Sequence, residues 1–353
     1  MSSSTGRLLT LTTFGESHGQ ALGGILDGYP AGVEVDMDFL QGEMDRRRPG
    51  STSLGTPRNE LDQVKLLSGV FEGRTTGTAI AFMIENQSQK SKDYSSIAHL
   101  YRPGHADYGF DCRYGFRDYR GGGRSSGRET AARVFAGALA KLYLARHAIE
   151  IHAGVIAVGG IEATDYTWDP PFPGPLYSPE CPEKEAMIKA VEDARRGKDS
   201  VGGIVECRAT GVEAGLGDPV FDKLDADLAK AILSIGAVKG IEFGSGFASA
   251  KERGSRNNDP MRSEGGKVRF LSNNAGGILG GISNGNDIVF RAAVKPTSSI
   301  EQEQLTVNDQ LENATITVHG RHDPCIAPRA VVVVEAMTAL TLLDHFLIRR
   351  AYG

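Results

Sequence analysis

Forty-five of the 353 residues are glycine, against roughly 25 at the usual usage of about 7%. No repeat in the chain explains the excess. Glycine then marks tight turns and places where backbone closely approaches a ligand or other backbone. The chain is therefore expected to build its ligand site from loops.

The periodicity between those loops sets the fold class. Residues 8–14 and 23–26 read as strands, as do the short runs 64–67 and 78–84. Met37, Leu40 and Met44 recur at helical spacing behind Asp36, a ready N-cap, which predicts a helix over 36–45. Residues 86–125 are polar, crowded with Tyr, Arg and Gly, and without periodicity. A segment that long without regular structure is disordered or functional, and its aromatic content argues against disorder. Ser126, with Glu129 three residues on, matches a capping box and opens a helix to about 147. Further helices are expected at 184–195, 222–233 and 329–349, and strands at 151–158, 203–208, 287–294 and 314–319. Strands and helices mix without βαβ alternation, which predicts an α+β fold with antiparallel sheets. No linker divides the chain, so residues 1–353 read as one domain with a Pro-rich surface loop near 164–183.

A formal net charge of −5 gives no global field for nucleic acid or an anionic membrane. An anionic ligand must be caught by local cations, and these are present. Arg120-Gly-Gly-Gly-Arg124-Ser125-Ser126-Gly-Arg128 runs a Gly-rich loop into a helix start, where free N–H groups and the dipole favour an anion. Arg46-Arg47-Arg48 ends the helix predicted over 36–45, where cations also suit the dipole without any ligand. Lys295 to Ser299 offers a cation and three hydroxyls in a turn. His105, beside Pro103-Gly104 in the irregular segment, could titrate near neutral pH. Cys112, Cys181, Cys207 and Cys325 lie far apart and residues 1–6 carry no hydrophobic signal, so reduced thiols in the cytoplasm are expected. The apolar run 330–348 holds Glu335, Asp344 and His345, which reads as a core helix and not a membrane span.

Several familiar signatures are absent or uninformative. No Gly-Lys-Ser/Thr follows the Gly-rich loop, so it is not a P-loop, and no dinucleotide fingerprint lies on a strand-to-helix turn. G-x-S-x-G occurs at 15–19, 123–127 and 281–285, but residue 17 leaves too little sheet before it for a nucleophile elbow. His322, Asp323 and Cys325 are too tightly spaced to surround one metal ion.

Eight stretches together resemble the chorismate synthase family. They are FGESHG (14–19), DRRRPG (45–50), FEGRTTGT (71–78), RPGHAD (102–107), DYRGGGRSSGRET (118–130), SNNAGGILGGIS (272–283), KPTSS (295–299) and GRHDP (320–324). They stand in family order across nearly the whole chain. The resemblance implies a β-α-β sandwich, with antiparallel sheets flanking a helical layer, and a homotetramer. It implies an anti-1,4-elimination of phosphate from 5-enolpyruvylshikimate 3-phosphate with reduced FMN, giving chorismate without net redox change. By the same resemblance His18 protonates the departing phosphate, and His105 supplies the proton that balances the flavin's charge. Asp323 assists proton removal through the flavin. Ser17, Arg47, Arg102, Ser126, Arg128 and Arg321 hold the substrate's anionic groups. Arg124, Ser125, Ser126, Gly236, Ala237, Gly280, Lys295, Pro296, Thr297, Ser298, Ser299 and Arg321 hold FMN.

The chain departs from the family pattern at two positions. Ser53 stands where many members carry an Arg assigned to NADPH or substrate, so that contact does not carry over. Gly236 stands where many have Asn, which leaves a backbone contact to FMN. The chain has the plain length, so an external source of reduced flavin is expected. The segment 86–125 is expected to order when FMN and substrate bind. A different FMN enzyme on the same scaffold and a non-catalytic anion-binding module remain open. Phosphate release separates the first, and His18→Ala the second.

Overall fold

The computed structural model describes residues 3–56, 60–87, 97–320 and 322–352. Two five-stranded sheets are present, and every strand pair in them is antiparallel. The first contains β1 (Ser4–Thr5), β2 (Thr10–Gly15), β3 (Ala21–Asp27), β4 (Val64–Leu66) and β5 (Ile80–Glu85), in the order β1-β2-β3-β5-β4. The second contains β6 (Glu150–Val158), β7 (Ile161–Glu162), β8 (Gly203–Thr210), β9 (Val238–Phe243) and β10 (Ile288–Val294), in the order β9-β10-β8-β6-β7. Alternation decides which face is buried. Ile80, Phe82 and Ile84 of β5 and Ile288, Phe290 and Ala292 of β10 are all fully buried.

The helices of eight residues or more among those described are α1 (Met37–Arg47), α2 (Asp107–Tyr114), α3 (Thr130–Ala145), α4 (Lys184–Arg196), α5 (Leu224–Leu233) and α6 (Ala327–Tyr352). The Asp36 side chain caps α1 by accepting from Phe39 N at 2.9 Å, as its sequence position predicts. α3 packs against α6 and also against β2, β3 and β5 of the first sheet, while α6 packs on β6 and β8 of the second. The two helices meet at Gly137, where a Cβ would fall 2.4 Å from the Ala336 Cβ. Only a hydrogen allows that approach. Each Val, Leu or Phe buried in this layer contributes about 1.5–3 kcal/mol.

A carboxylate is sealed into the helical layer. Glu335 of α6 is 1% exposed and binds the Arg46 guanidinium at 2.7 and 2.9 Å, Lys141 Nζ at 2.5 Å and Ala153 N at 2.9 Å. One carboxylate thus ties α1, α3, β6 and α6 together. α6 is the one helix among the described residues long and apolar enough to cross a bilayer, but 83% of its apolar window is buried inside the protein.

Two local expectations are corrected. The capping box at Ser126 does not close, because Glu129 turns to Arg133 at 2.8 Å and Ser126 N donates to Gly123 O. A short 3-10 turn, Gly127–Glu129, therefore precedes α3. The 86–125 segment is not wholly irregular: it holds α2, whose Asp107 is buried and whose end is closed by Gly115 at φ 70°. Residues 88–96 of that segment lie outside the described residues.

Candidate active site

A cavity of about 440 Å³ gathers the ends of these elements. Ser17 and His18 follow β2, and Arg47 ends α1. Arg102 and His105 precede α2, while Gly121 to Arg128 lead into α3. Gly236 and Ala237 join α5 to β9, Lys295 to Ser299 follow β10, and His322 and Asp323 precede α6. The cavity draws on six of the eight stretches named above, and neither 71–78 nor 272–283 lines it. Thr75 of the former has a structural task, accepting from Val33 N at 3.0 Å and donating to Pro30 O at 2.6 Å.

Each lining arginine has a carboxylate partner. Asp62, whose side chain is wholly buried, bridges Arg47 Nη2 at 2.6 Å and Arg128 Nη1, and Glu60 meets Arg128 Nη2 at 3.0 Å. Burial acts to raise the Asp62 carboxyl, but Arg47 and Arg128 outweigh it and hold it below the usual range. Burial brings the Arg47 guanidinium down to about 10, against the opposing pull of Asp62. Arg47 Nε is buried with no hydrogen-bond partner among the described residues. Asp107 serves three groups: Arg102 grips it at 2.7 and 2.8 Å, His105 Nδ1 lies 2.8 Å from its Oδ1, and Arg117 Nη1 stands 3.5 Å from the same oxygen. Burial would raise Asp107, and the hydrogen bonds from Arg102 and His105 hold it well below the ordinary carboxylate range. With that oxygen ionised, the proton on Nδ1 of His105 is fixed, and Nε2 is the atom left to exchange.

His18 is buried, with Nδ1 3.1 Å from Ser17 Oγ. Gly121, at φ +69°, makes room for it, since a Cβ there would come within 2.4 Å of Nδ1. Asp323 accepts from Thr56 N at 2.8 Å and pairs with Arg329, so both carboxylate oxygens are engaged. Lys295 differs from the arginines. Its Nζ donates only to the carbonyls of Gly104 (3.2 Å) and Pro296 (3.3 Å), and it has no ion pair among the described residues. Burial, then the charge of Lys239, pushes its ammonium down.

The other expected site residues fall as follows. Arg102, Ser125, Ser126, Arg128, Gly236, Ala237, Pro296, Thr297, Ser298 and Ser299 line the cavity. Arg124 does not; its guanidinium holds Gly15 O and Thr13 Oγ1 behind β2. Gly280 lies in the turn between Ile278–Leu279 and Ile282–Ser283, off the cavity wall. Arg321 lies outside the described residues.

The sequence profile described as Chorismate synthase matches residues 9–347. The chorismate synthase of Nitratidesulfovibrio vulgaris is 54% identical over 345 residues, covering 98% of this chain and 96% of that protein. That of Cytophaga hutchinsonii is 51% identical over 356 residues, covering 99% of each. A solved structure described as a crystal structure of chorismate synthase superposes with a TM-score of 0.76 at 31% identity, covering 98% of this chain and 93% of that one. The chain belongs to the chorismate synthase family. It is accordingly an enzyme, a lyase of aromatic biosynthesis.

Within this chorismate synthase scaffold, four residues that shape the site escaped the sequence reading. Asp62, Glu60 and Asp107 sit behind the arginines, and Arg329 pairs with Asp323. His322, weighed from the sequence only as a metal ligand, lines the wall with its Nε2 buried and without a partner among the described residues, and burial together with the Arg102 charge pushes its imidazole down. Asp107 and His322 lay inside quoted stretches and were legible as polar groups beside site residues. Asp62 and Glu60 carry no local signal, because their partners Arg47 and Arg128 are distant in sequence.

Proposed function

We propose that this chain eliminates phosphate from 5-enolpyruvylshikimate 3-phosphate in the anti-1,4 sense, with reduced FMN, to give chorismate as the last step of the shikimate pathway. The observation that carries the reading is one cavity lined by four histidines, His18 and His105 among them, three buried arginines and a lysine with no ion pair among the described residues. The substrate has one phosphate and two carboxylates, and FMN adds a second phosphate. Arg47, Arg102 and Arg128 are held as preoriented forks, which suits planar or phosphate anions. Lys295, the lining cation with no carboxylate partner, is the one with most to gain from the FMN phosphate.

The residues present fit FMN. The 295–299 turn is seated against Gly104, where a Cβ would approach the Ser298 Cβ to 3.2 Å. Ser125, Gly236 and Ala237 close the same side of the cavity. When bound, reduced FMN supplies a transient electron and takes up the ring proton. His18, oriented by Ser17, delivers a proton to the departing phosphate. His105, with Nδ1 committed to Asp107, exchanges its proton at Nε2. Asp323, fixed by Thr56 N and Arg329, assists removal of the ring proton. Proton transfers of this kind are worth about 10²–10⁴ in rate each.

The contacts of α3 with one sheet and α6 with the other support the β-α-β sandwich, and the continuous core supports one domain over 1–353. The homotetramer in this reading rests on the family resemblance. The reading further takes the enzyme to be cytoplasmic, supplied with reduced flavin from outside, with no NADPH contact at Ser53.

The test is anaerobic. Protein, photoreduced FMN and 5-enolpyruvylshikimate 3-phosphate are mixed, and chorismate absorbance and free phosphate are followed together. Equal rates that require reduced flavin are expected. Flavin binding without either product refutes the substrate assignment.

A further inference from the structure

Asp323 is aimed by a loop. Its Oδ1 accepts the Thr56 N–H at 2.8 Å, and a Cβ built on neighbouring Gly55 would sit 3.3 Å from that same oxygen. The loop's backbone therefore touches the carboxylate, and a small shift of residues 53–56 re-aims it. Within the loop, Ser51 N reaches Arg48 O at 3.3 Å and Gly55 N reaches Thr52 O at 3.2 Å, both at the long end of the hydrogen-bond range. Arg195 fastens it from outside. From the last turn of α4, its Nη2 donates to both Ser53 O and Gly55 O at 3.1 Å. α4 packs on β6 and β7, so the tether ends on the second sheet. Arg195 lines a neighbouring cavity of about 720 Å³, which shares Thr56, His322 and Asp323 with the first.

We infer that Arg195 is a positioning residue for Asp323, acting through the Ser53 and Gly55 carbonyls. The inference rests on the role given to Asp323 in the proposed function, assisting removal of the ring proton. Arg195 touches neither end of the reaction. It holds the loop whose N–H points Asp323, and it does so with a guanidinium that has no carboxylate partner among the described residues. Position 53 contributes a backbone carbonyl to a guanidinium brought from α4.

The test is a mutant cycle in the anaerobic assay, with Arg195→Ala, Arg195→Lys, Asp323→Asn and the Arg195→Ala/Asp323→Asn pair. Losing positioning on the scale of one hydrogen bond is expected to lower kcat about tenfold in Arg195→Ala. KM for the substrate stays within about twofold, because Arg47, Arg102 and Arg128 are untouched. Arg195→Lys recovers part of kcat, and it carries the cycle if the Ala variant does not fold. In the Asp323→Asn background, removing Arg195 costs nothing further. An unchanged kcat in Arg195→Ala, or the same tenfold loss with Asp323 already replaced, overturns the inference. Full turnover in Asp323→Asn alone instead overturns the role given to Asp323.

Discussion

Asp62→Asn isolates the charge that supports two cavity-lining arginines. Asp62 sits at φ 49°, a left-handed conformation that Asn tolerates as well as Asp, so the backbone is spared. The substitution leaves Arg47, 1% exposed, without its carboxylate at 2.6 Å, while Arg128 keeps Glu60 at 3.0 Å. Removing one partner of a buried pair costs about 3–5 kcal/mol. The Asn oxygen still accepts one of the two bonds, so the low end, about 3 kcal/mol, is expected in urea unfolding. The pH dependence follows from the direction of the shift. The folded-state pKa of Asp62 lies below its unfolded value, so its stabilisation is fully present above about pH 4–5 and is lost as pH falls through the folded pKa. The gap between wild type and Asp62→Asn should therefore be flat from about pH 5 to 8 and close in acid. A loss under about 1 kcal/mol at pH 7, the scale of an exposed pair, or a gap that widens in acid, refutes the reasoning.

Three other outcomes are expected. Asp107→Asn should cut kcat by about a hundredfold or more, because Nδ1 of His105 loses the anion that fixes its proton and Arg102 loses its fork. Steady-state kinetics with reduced FMN check it. Gly121→Ala should abolish most turnover and lower the melting temperature, since the added Cβ meets His18 Nδ1 at 2.4 Å at a φ of +69°. Lys295→Ala should weaken FMN binding about tenfold to a hundredfold, the worth of a hydrogen bond to a charged group. Titration of flavin fluorescence measures that loss.

Much of the fold was legible because periodicity is a local property. β3, β5, β6, β8 and β10 fall within a few residues of the expected strands, and α1, α4, α5 and α6 likewise. What escaped was short or decided by competition. α2 spans only eight residues and lacks a side-chain cap. The capping box at Ser126 lost to Arg133, one helical turn further on, which a pattern of four residues cannot register. The strand β9 follows a Gly-containing turn and is four-fifths partly exposed beyond Val238, so it shows no clean alternation.

The chain by itself determined the chemistry on offer. Its loops hold arginines, two histidines and hydroxyls in an otherwise acidic protein, which fits a compact anionic ligand better than a nucleic-acid surface. It also determined the family, through stretches that keep their order. Only the tertiary structure decided which carboxylate holds which arginine, that Arg124 supports β2 from behind, and that Gly280 stays off the cavity wall. The reason is physical. A buried ion pair forms between whichever opposite charges the packing brings within about 3–4 Å in a dry interior. Arg47, Asp62 and Arg128 reach that distance only once α1, the loop before β4 and the start of α3 have closed on one another.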